Sequence, residues 1–243
     1  MLKVQGLTKK FGDLTAVNNL HFEVNKGEIF GLLGENGAGK TTTLRMLATM
    51  LLPTVGTAEI CGFDLISDPE KVRSRIGILF GGETGLYDRL TAAENIAYFA
   101  ELNDMSRPEI KERVAYLTKI FGMEDYINKR AGKLSKGMKQ KVAFARSIVH
   151  NPDIMLFDEP TSGLDVSAVR DVHDFILECK REGKTIVFSS HSMSEVERLC
   201  DRIGIIHRGV LVDTGTIEGF KQKYGDSSLE EIFIRLVGGS NEI

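Results

Sequence analysis

The chain has 243 residues, of which 42% are hydrophobic and 27% charged, and its formal net charge is −3. These values are typical of a globular protein with a sizeable core, and so small a net charge gives no reason to expect a nucleic-acid-binding protein. The sequence lacks a secretory signal and an apolar run near the roughly 18 residues that would cross a bilayer. The 3 cysteines have neither disulfide nor zinc-site spacing. We therefore expect a cytoplasmic protein.

The first 60 residues predict mostly strands. Asn19–Val24 alternates apolar and polar residues, as a half-buried antiparallel strand does. Glu28–Leu33 is almost wholly apolar, which is typical of a buried parallel strand, and it leads directly into a glycine-rich turn and a helix that starts at Lys40. Two further strands are predicted at Thr57–Cys61 and Arg75–Phe80.

The rest of the chain divides into a helical part and a part that alternates strands and helices. Residues 91–150 predict helices, with Arg107–Phe121 the most regular of them. After Pro152 the sequence predicts strands at Asp153–Phe157, Lys184–Ser189, Ile203–His207 and Val210–Asp213, and helices at Val166–Arg181, Ser192–Cys200 and Ser228–Val237. This alternation implies a parallel sheet in an α/β fold.

The segment GENGAGKT matches the pattern G-x-x-x-x-G-K-[ST] and lies between a predicted strand and a predicted helix. Its glycines allow successive backbone N–H groups to surround a phosphate, and the helix that follows adds the positive end of its dipole. Lys40 would reach the β- and γ-phosphates, and the Thr41 hydroxyl would bind Mg²⁺. The predicted phosphate-binding residues are Gly34, Glu35, Asn36, Gly37, Ala38, Gly39, Lys40, Thr41 and Thr42.

Two carboxylates follow a second apolar strand in the segment IMLFDE. The strand delivers Asp158 and Glu159 to its carboxyl end, where ligands bind in open α/β sheets. Asp158 suits the Mg²⁺ site of a phosphate-binding-loop protein, and Glu159 can hold an attacking water. The alternative is a pair of loop carboxylates that cap a helix, and the presence of the phosphate-binding loop favours the catalytic interpretation.

Two more polar features fit either a structural or a functional role. His191 ends the apolar strand VFSSH, and a lone histidine at such a position is often structural. Ser135 in LSKGMKQ reads as a helix N-cap with solvated lysines after it, and a capped helix N-terminus is also an anion site.

Taken together, these motifs resemble those of ATP-binding subunits of ABC transporters, over essentially the whole chain. GENGAGKT resembles Walker A, IMLFDE Walker B, LSKGM the signature motif, SGLD (162–165) the D-loop, and His191 the switch histidine. The resemblance implies an α/β P-loop NTPase (RecA-like) fold with a mixed sheet core, an N-terminal antiparallel β part and an inserted helical subdomain. It also implies one domain, in which residues 1–82 and 151–243 form the nucleotide-binding core and residues 83–150 the subdomain.

The resemblance further implies ATP and Mg²⁺ as ligands and hydrolysis of ATP to ADP and phosphate. Phe11 stands where the family stacks an aromatic ring on adenine, with a core or surface phenylalanine as the alternative. In a head-to-tail homodimer, Ser135 and Gly137 of one subunit would contact the γ-phosphate held by the other. The metal ligands would be Thr41 and Asp158, and the catalytic residues Glu159, His191 and Lys40.

The sequence departs from the family pattern in two motifs. The signature has Lys136 in place of glycine and Met138 in place of glutamine, although Ser135 and Gly137 are kept. Gly81 stands where the family has the glutamine that reaches the Mg²⁺ site, so that role cannot be carried over, and the nearby Glu83 is a candidate substitute. The adjacent apolar Leu86 and Tyr87 suggest either local packing or a docking pocket for a permease helix.

Two elements indicate the subtype and the partners. FGGETGLYDRLTAAENI and the tail EEIFIRLVG resemble ABC-2-type exporters, especially sodium-extruding ones, while exporters of drugs, lipids or polysaccharide share most of these features. The resemblance implies a separate integral membrane permease as partner and a position at the cytoplasmic face of the membrane. One alternative is a soluble ABC-type ATPase of repair or translation. The other is a P-loop kinase or GTPase, although the SGLD and LSKGM motifs have no place in that class.

Overall fold

The computed structural model describes residues 1–80, 85–225 and 228–238. Two sheets organise them. The first is antiparallel, in the order β2-β1-β4-β5, and consists of β1 (Leu2–Phe11), β2 (Leu14–Val24), β4 (Val55–Ile60) and β5 (Phe63–Asp64). The second has the order β10-β9-β3-β8-β7-β6 and consists of β3 (Ile29–Leu33), β6 (Ile76–Phe80), β7 (Ile154–Asp158), β8 (Thr185–Ser190), β9 (Arg202–His207) and β10 (Val210–Gly215).

The second sheet is mixed, because β9, β3, β8, β7 and β6 are parallel and the edge strand β10 is antiparallel to β9. The β9–β10 hairpin turns at Arg208 and Gly209, which have φ of 46° and 80°. Two positive φ values suit the tight turns that match strand twist. The predicted α/β class, the mixed sheet and the N-terminal antiparallel part are confirmed.

The parallel strands are apolar because each lies between two cores. Along β3, Ile29 and Leu33 pack into one hydrophobic cluster, while Phe30 and Leu32 pack into the other. All five residues of β3 are buried, as are all five of β7 and all six of β8. A strand covered on both faces shows a continuous apolar run instead of an alternation.

The helices are α1 (Lys40–Leu47), α2 (Pro69–Arg73), α3 (Ala92–Glu101), α4 (Arg107–Ile120), α5 (Lys136–Ser147), α6 (Val166–Arg181), α7 (Met193–Leu199), α8 (Ile217–Tyr224) and α9 (Leu229–Gly238). Between residues 92 and 147 the structure holds α3, α4, a 3₁₀ turn at Ala131–Lys133 and α5. This agrees with the helical character predicted there, while the subdomain boundaries at 83 and 150 stay a prediction. None of the described helices combines the length and the apolar character needed to cross a membrane.

The sheet order determines where the functional residues meet. β8 lies between β3 and β7, so the carboxyl ends of these three parallel strands are neighbours. The glycine-rich loop and α1 follow β3, Glu159 follows β7, and His191 follows β8. Binding sites in open α/β sheets form at this edge.

Candidate nucleotide-binding and hydrolysis site

The loop between β3 and α1 leaves the N-terminus of α1 without a side-chain cap from any described residue. Gly39, the N-cap of α1, has φ of 108°, and a Cβ added there would lie 2.7 Å from the carbonyl oxygen of Ala16. Only glycine therefore fits at this close approach. In the described structure no side chain caps α1, and no acidic residue lies in its first turn. The N–H groups at its start are thus available to a negatively charged ligand.

Beside this loop lies a cavity of about 130 Å³. Its lining includes seven of the nine predicted phosphate-binding residues, together with Glu159 and Ala16. The lining residues are Ala16, Glu35, Asn36, Gly37, Gly39, Lys40, Thr41, Thr42 and Glu159. A cavity lined by a glycine-rich loop, a lysine and a carboxylate fits a phosphate chain.

Lys40 is buried inside the loop. Its Nζ donates to the carbonyl oxygens of Gly34 at 2.7 Å and Glu35 at 3.1 Å, and it lies 3.6 Å from Oε1 of Glu159. Burial lowers the pKa of the Lys40 ammonium from its ordinary value, and the carboxylates of Glu159 and Asp158 act in the opposite direction. The loop therefore presents a poorly solvated cation, which attracts phosphate oxygens more strongly than an exposed lysine would.

Thr41 and Asp158 are already adjacent, because the Thr41 hydroxyl donates to Oδ2 of Asp158 at 2.8 Å. The other carboxylate oxygen, Oδ1, accepts from the hydroxyl of Ser189 at 2.5 Å. Among the described residues no group of three or more His, Cys, Asp and Glu side chains could hold a metal ion. One hydroxyl and one carboxylate fit Mg²⁺, which often takes one or two protein ligands and fills the rest with phosphate oxygens and water.

Glu159 lies between two basic side chains. Its Oε1 lies 3.6 Å from Nζ of Lys40 and 3.3 Å from Nδ1 of His191. Its backbone has φ of 45°, unusual for a residue with a Cβ. The backbone N–H of Glu159 donates to the carbonyl oxygen of Ser189 at 3.2 Å and to its hydroxyl at 3.0 Å, which stabilises the turn. The end of β8 thus holds the carboxylate of Asp158, which ends β7, and the backbone of Glu159, which follows it.

Ser189 is a functional residue that sequence reasoning missed. It is fully buried, and it contacts Asp158 through its side chain and Glu159 through both its side chain and its backbone. A signal was present, since two serines close an otherwise apolar strand just before His191. Buried hydroxyls need hydrogen-bond partners, and the neighbouring strand end provides them.

The remaining predicted residues lie apart from this cluster. Phe11, at the end of β1, is half exposed, and the Lys9 ammonium lies 5.2 Å from its ring centre. Ser135 is exposed and caps α5 by accepting from the N–H of Met138 at 3.3 Å. Gly137 is the second residue of α5. Several of the predicted site residues do not line the described cavity, among them Phe11, Gly34, Ala38, Ser135, Gly137 and His191.

Two further sequence features can now be placed. The Lys136 ammonium lies against Gly163, so the residue that departs from the signature pattern contacts the chain's own SGLD segment. Tyr87 is half exposed and meets Tyr98 edge-to-face at 5.4 Å, and Leu86 packs partly on the core. The hypothesis about Gly81 and Glu83 lies outside the described residues.

Comparison with known proteins agrees with this geometry. The family model described as "ABC transporter" matches residues 17–162, and the chain belongs to this family. It is therefore an ABC transporter ATP-binding subunit and an ATPase, as the sequence predicts.

Two curated relatives align over most of this chain. The ABC transporter ATP-binding protein NatA of Bacillus subtilis is 49% identical, over 98% of this chain and 99% of that protein. The bacitracin transport ATP-binding protein BcrA of Bacillus licheniformis is 37% identical, over 92% of this chain and 72% of that protein.

Solved structures also match. An ATP-binding subunit of an ABC transporter has a TM-score of 0.88 at 31% identity and covers 97% of this chain and 99% of that one. The dimeric post-hydrolysis state of the ATP-binding cassette MJ0796, bound to ADP and Pi, has a TM-score of 0.80 at 28% identity, with 89% and 99% covered.

Proposed function

We propose that this chain binds Mg·ATP in the cavity beside α1 and hydrolyses it with Glu159 as general base, within a head-to-tail homodimer that powers export through a separate membrane permease. The observation that carries the proposal is the position of the Glu159 carboxylate. It lies 3.6 Å from Nζ of Lys40 and 3.3 Å from Nδ1 of His191. The Thr41–Asp158 pair also supports the proposal. Thr41 lies in the first turn of the helix that follows the glycine-rich loop, and Asp158 ends the strand that precedes Glu159.

The binding roles follow from the contacts. Lys40 neutralises charge on the β- and γ-phosphates, and the backbone N–H groups of residues 34–42 surround the phosphate chain. Thr41 and Asp158 would hold the metal ion. A bound Mg²⁺ supplies positive charge that neutralises the phosphate oxygens during transfer. Phe11 stacks on the adenine ring, for which its half-exposed ring is suited.

The hydrolytic roles belong to the two residues that follow β7 and β8. Phosphoryl transfer depends mostly on positioning and charge neutralisation, so few groups need to carry protons. Glu159 orients the attacking water and accepts its proton, while His191 contacts the γ-phosphate. The positive φ of Glu159 and its two backbone hydrogen bonds to Ser189 restrict where that carboxylate can lie.

The dimer completes each site. Ser135 and Gly137 lie at the start of α5, and Ser135 is exposed. In the proposed dimer this helix start contacts the γ-phosphate bound by the second copy, so ATP binding closes the dimer and hydrolysis reopens it. The similarity to the dimeric cassette with ADP and Pi supports this arrangement.

The proposed cargo is the sodium ion, and the proposed location is the cytoplasmic face of the membrane beside the permease. The support for sodium is the 49% identity to NatA over nearly the full length of both proteins. The relatives named for bacitracin transport and Nod factor export, at 37% identity each, define the alternative of a larger exported molecule.

The test of the proposed catalysis is Glu159→Gln. The amide keeps the shape of the side chain and cannot accept a proton from water, so ATP binding should persist and turnover should stop. The dimer should then accumulate with ATP, which size-exclusion chromatography detects. Glu124→Gln, at an exposed position, serves as the matched control. Normal turnover by Glu159→Gln would exclude Glu159 as the base.

A further inference from the structure

A buried carboxylate is bonded to residues that are close in sequence to Glu159 and His191. Glu195, in the first turn of α7, is 5% exposed. Its Oε1 accepts from Thr161 Oγ1 at 2.8 Å and from His173 Nε2 at 3.0 Å. Its Oε2 accepts from the hydroxyl of Ser190 at 2.6 Å. Four separate segments of the chain therefore meet at one side chain.

The partners of Glu195 are placed next to the catalytic groups. Thr161 is two residues beyond Glu159, and Ser190 immediately precedes His191. The Ser190 hydroxyl also accepts from the backbone N–H of Ser192 at 2.9 Å, so it restrains the chain on both sides of His191. Glu195 thus joins the loop after β7 to the loop after β8.

The network at Glu195 is ionic in character. Burial opposes ionisation of the Glu195 carboxyl, but the donors His173, Ser190 and Thr161 outweigh it and hold its pKa below the ordinary value. A buried carboxylate with several donors is strongly oriented, because any displacement leaves charge without a partner. Such a group transmits position more precisely than an apolar contact does.

The same loop is also tied to α5. The side-chain amide of Gln140 donates to the carbonyl oxygen of Pro160 at 3.2 Å. Pro160 and Thr161 are consecutive, so the loop that follows Glu159 is held from one side by α5 and from the other by Glu195. The SGLD segment, 162–165, begins at the next residue.

We propose that Glu195 is a positioning residue of ATP hydrolysis, which sets the separation of Glu159 and His191 and the orientation of the SGLD segment through Thr161 and Ser190. The inference rests on the proposed function, since it takes Glu159 and His191 as the groups that are positioned. It assigns Glu195 no contact with nucleotide.

The test uses the full chain and two variants that remove different ends of one hydrogen bond. Glu195→Gln removes the charge and keeps the shape, while Thr161→Val removes the donor and keeps the volume. Both should lower kcat roughly tenfold or more while KM for ATP stays within about twofold, because misplacement of a catalytic group acts on the chemical step. Thr161→Ser keeps the hydroxyl and should restore kcat.

The controls separate positioning from stability. Glu197→Gln changes an exposed carboxylate two residues along the same helix and should behave as wild type. Melting temperatures are measured for every variant, and if Glu195→Gln fails to fold, Thr161→Val against Thr161→Ser decides the question. A normal kcat for folded Thr161→Val, or a raised KM with normal kcat, overturns the proposal.

Glu159→Gln is assayed beside them. If it still hydrolyses ATP, the proposed catalytic assignment fails, whatever Glu195 does. If it is inactive while Glu195→Gln and Thr161→Val turn over normally, only the positioning role fails.

Discussion

The carboxyl edge of the parallel sheet and the start of α5 differ in how completely one chain assembles them. At the sheet edge, Lys40, Thr41, Asp158 and Glu159 contact one another or shared partners within 3.6 Å. At the start of α5, Ser135 is exposed and serves as a helix cap. Half of the proposed site is therefore preorganised within the chain, and the other half is presented outward.

The physical reason lies in the elements that carry each half. The sheet-edge residues follow strands that are buried on both sides, so their backbone is fixed by the core. The start of α5 is a helix N-terminus, where Ser135 caps the N–H of Met138 and the N–H groups without a partner in the helix can bind an anion. We therefore expect the proposed site to bind nucleotide in one chain and to be completed by a second chain.

The largest expected effect comes from breaking the preorganised half. Lys40→Ala should abolish hydrolysis and weaken ATP binding roughly tenfold to a hundredfold, since a charge-assisted contact contributes about 1.5–3 kcal/mol. Isothermal titration calorimetry measures the affinity, and phosphate release measures turnover. Arg45→Ala, in the same helix, is the control for loss of a positive side chain, and unchanged affinity in Lys40→Ala would contradict the phosphate-binding assignment.

Breaking the outward half should leave nucleotide binding intact. In a Glu159→Gln background, Ser135→Arg should remove the ATP-dependent dimer, because the larger side chain blocks approach of the second copy, while ATP affinity changes by less than about twofold. Size-exclusion chromatography with ATP measures the dimer.

The control for that variant is Ser106→Arg, which changes the N-cap position of α4. Both variants lose a cap residue, at a cost of about 1 kcal/mol each. If both dimerise equally well, the start of α5 is not part of the dimer interface.

The sheet edge was also the half that could be predicted from sequence. Apolar runs ending in GENGAGKT, Asp158–Glu159 and His191 identify three parallel strands and their functional ends. β1 was missed because its pairing with β2 shifts register at three places and Gly6 has φ of 64°, which breaks the two-residue alternation. Ser189 and Glu195 were missed because most of their hydrogen-bond partners are distant in sequence. These partners lie 22 to 34 residues away, and the one exception is Ser190, which bonds to Glu195.

A third, smaller effect concerns Tyr87, for which the sequence suggests a docking surface for the proposed permease. Tyr87→Ala should leave basal ATPase nearly intact and weaken assembly with the co-expressed permease by about 2 kcal/mol, since truncation of a buried interface aromatic often costs that much. Co-purification measures assembly. Tyr116→Ala, at another partly exposed tyrosine, is the control. Loss of basal ATPase with normal co-purification would instead assign Tyr87 to local packing that supports the fold.

The smallest expected effect lies in a region that belongs to neither half of the site. A variant of this region serves as a control for the other variants. Asp213 in β10 accepts from Lys223 Nζ at 2.8 Å and from the Tyr224 hydroxyl at 2.6 Å, so it holds α8 against the sheet edge. Partial burial opposes ionisation of this carboxyl, but Lys223 and Tyr224 outweigh it and hold the pKa of Asp213 below its usual range.

A depressed folded-state pKa determines the sign of the pH dependence. The stabilisation from Asp213 is fully present above the unfolded-state pKa of about 3.9 and is lost as the pH falls through the lower folded-state pKa. Asp213→Asn should therefore cost about 1 kcal/mol of unfolding free energy at neutral pH, as one net hydrogen bond does, and progressively less in acid. Urea denaturation of the variant and the wild type, at neutral pH and at acid pH, measures this difference in unfolding free energy. Asp125→Asn, an exposed carboxylate, should show neither effect.

The proposed mechanism gives Asp213 no role in nucleotide binding or dimerisation. Asp213→Asn should therefore keep normal kcat and normal ATP-dependent dimerisation. If Asp213→Asn lost either property, catalysis at the sheet edge or dimerisation through the start of α5 would depend on the general stability of the fold. The effects of Lys40→Ala and Ser135→Arg could then not be assigned to separate halves of the site.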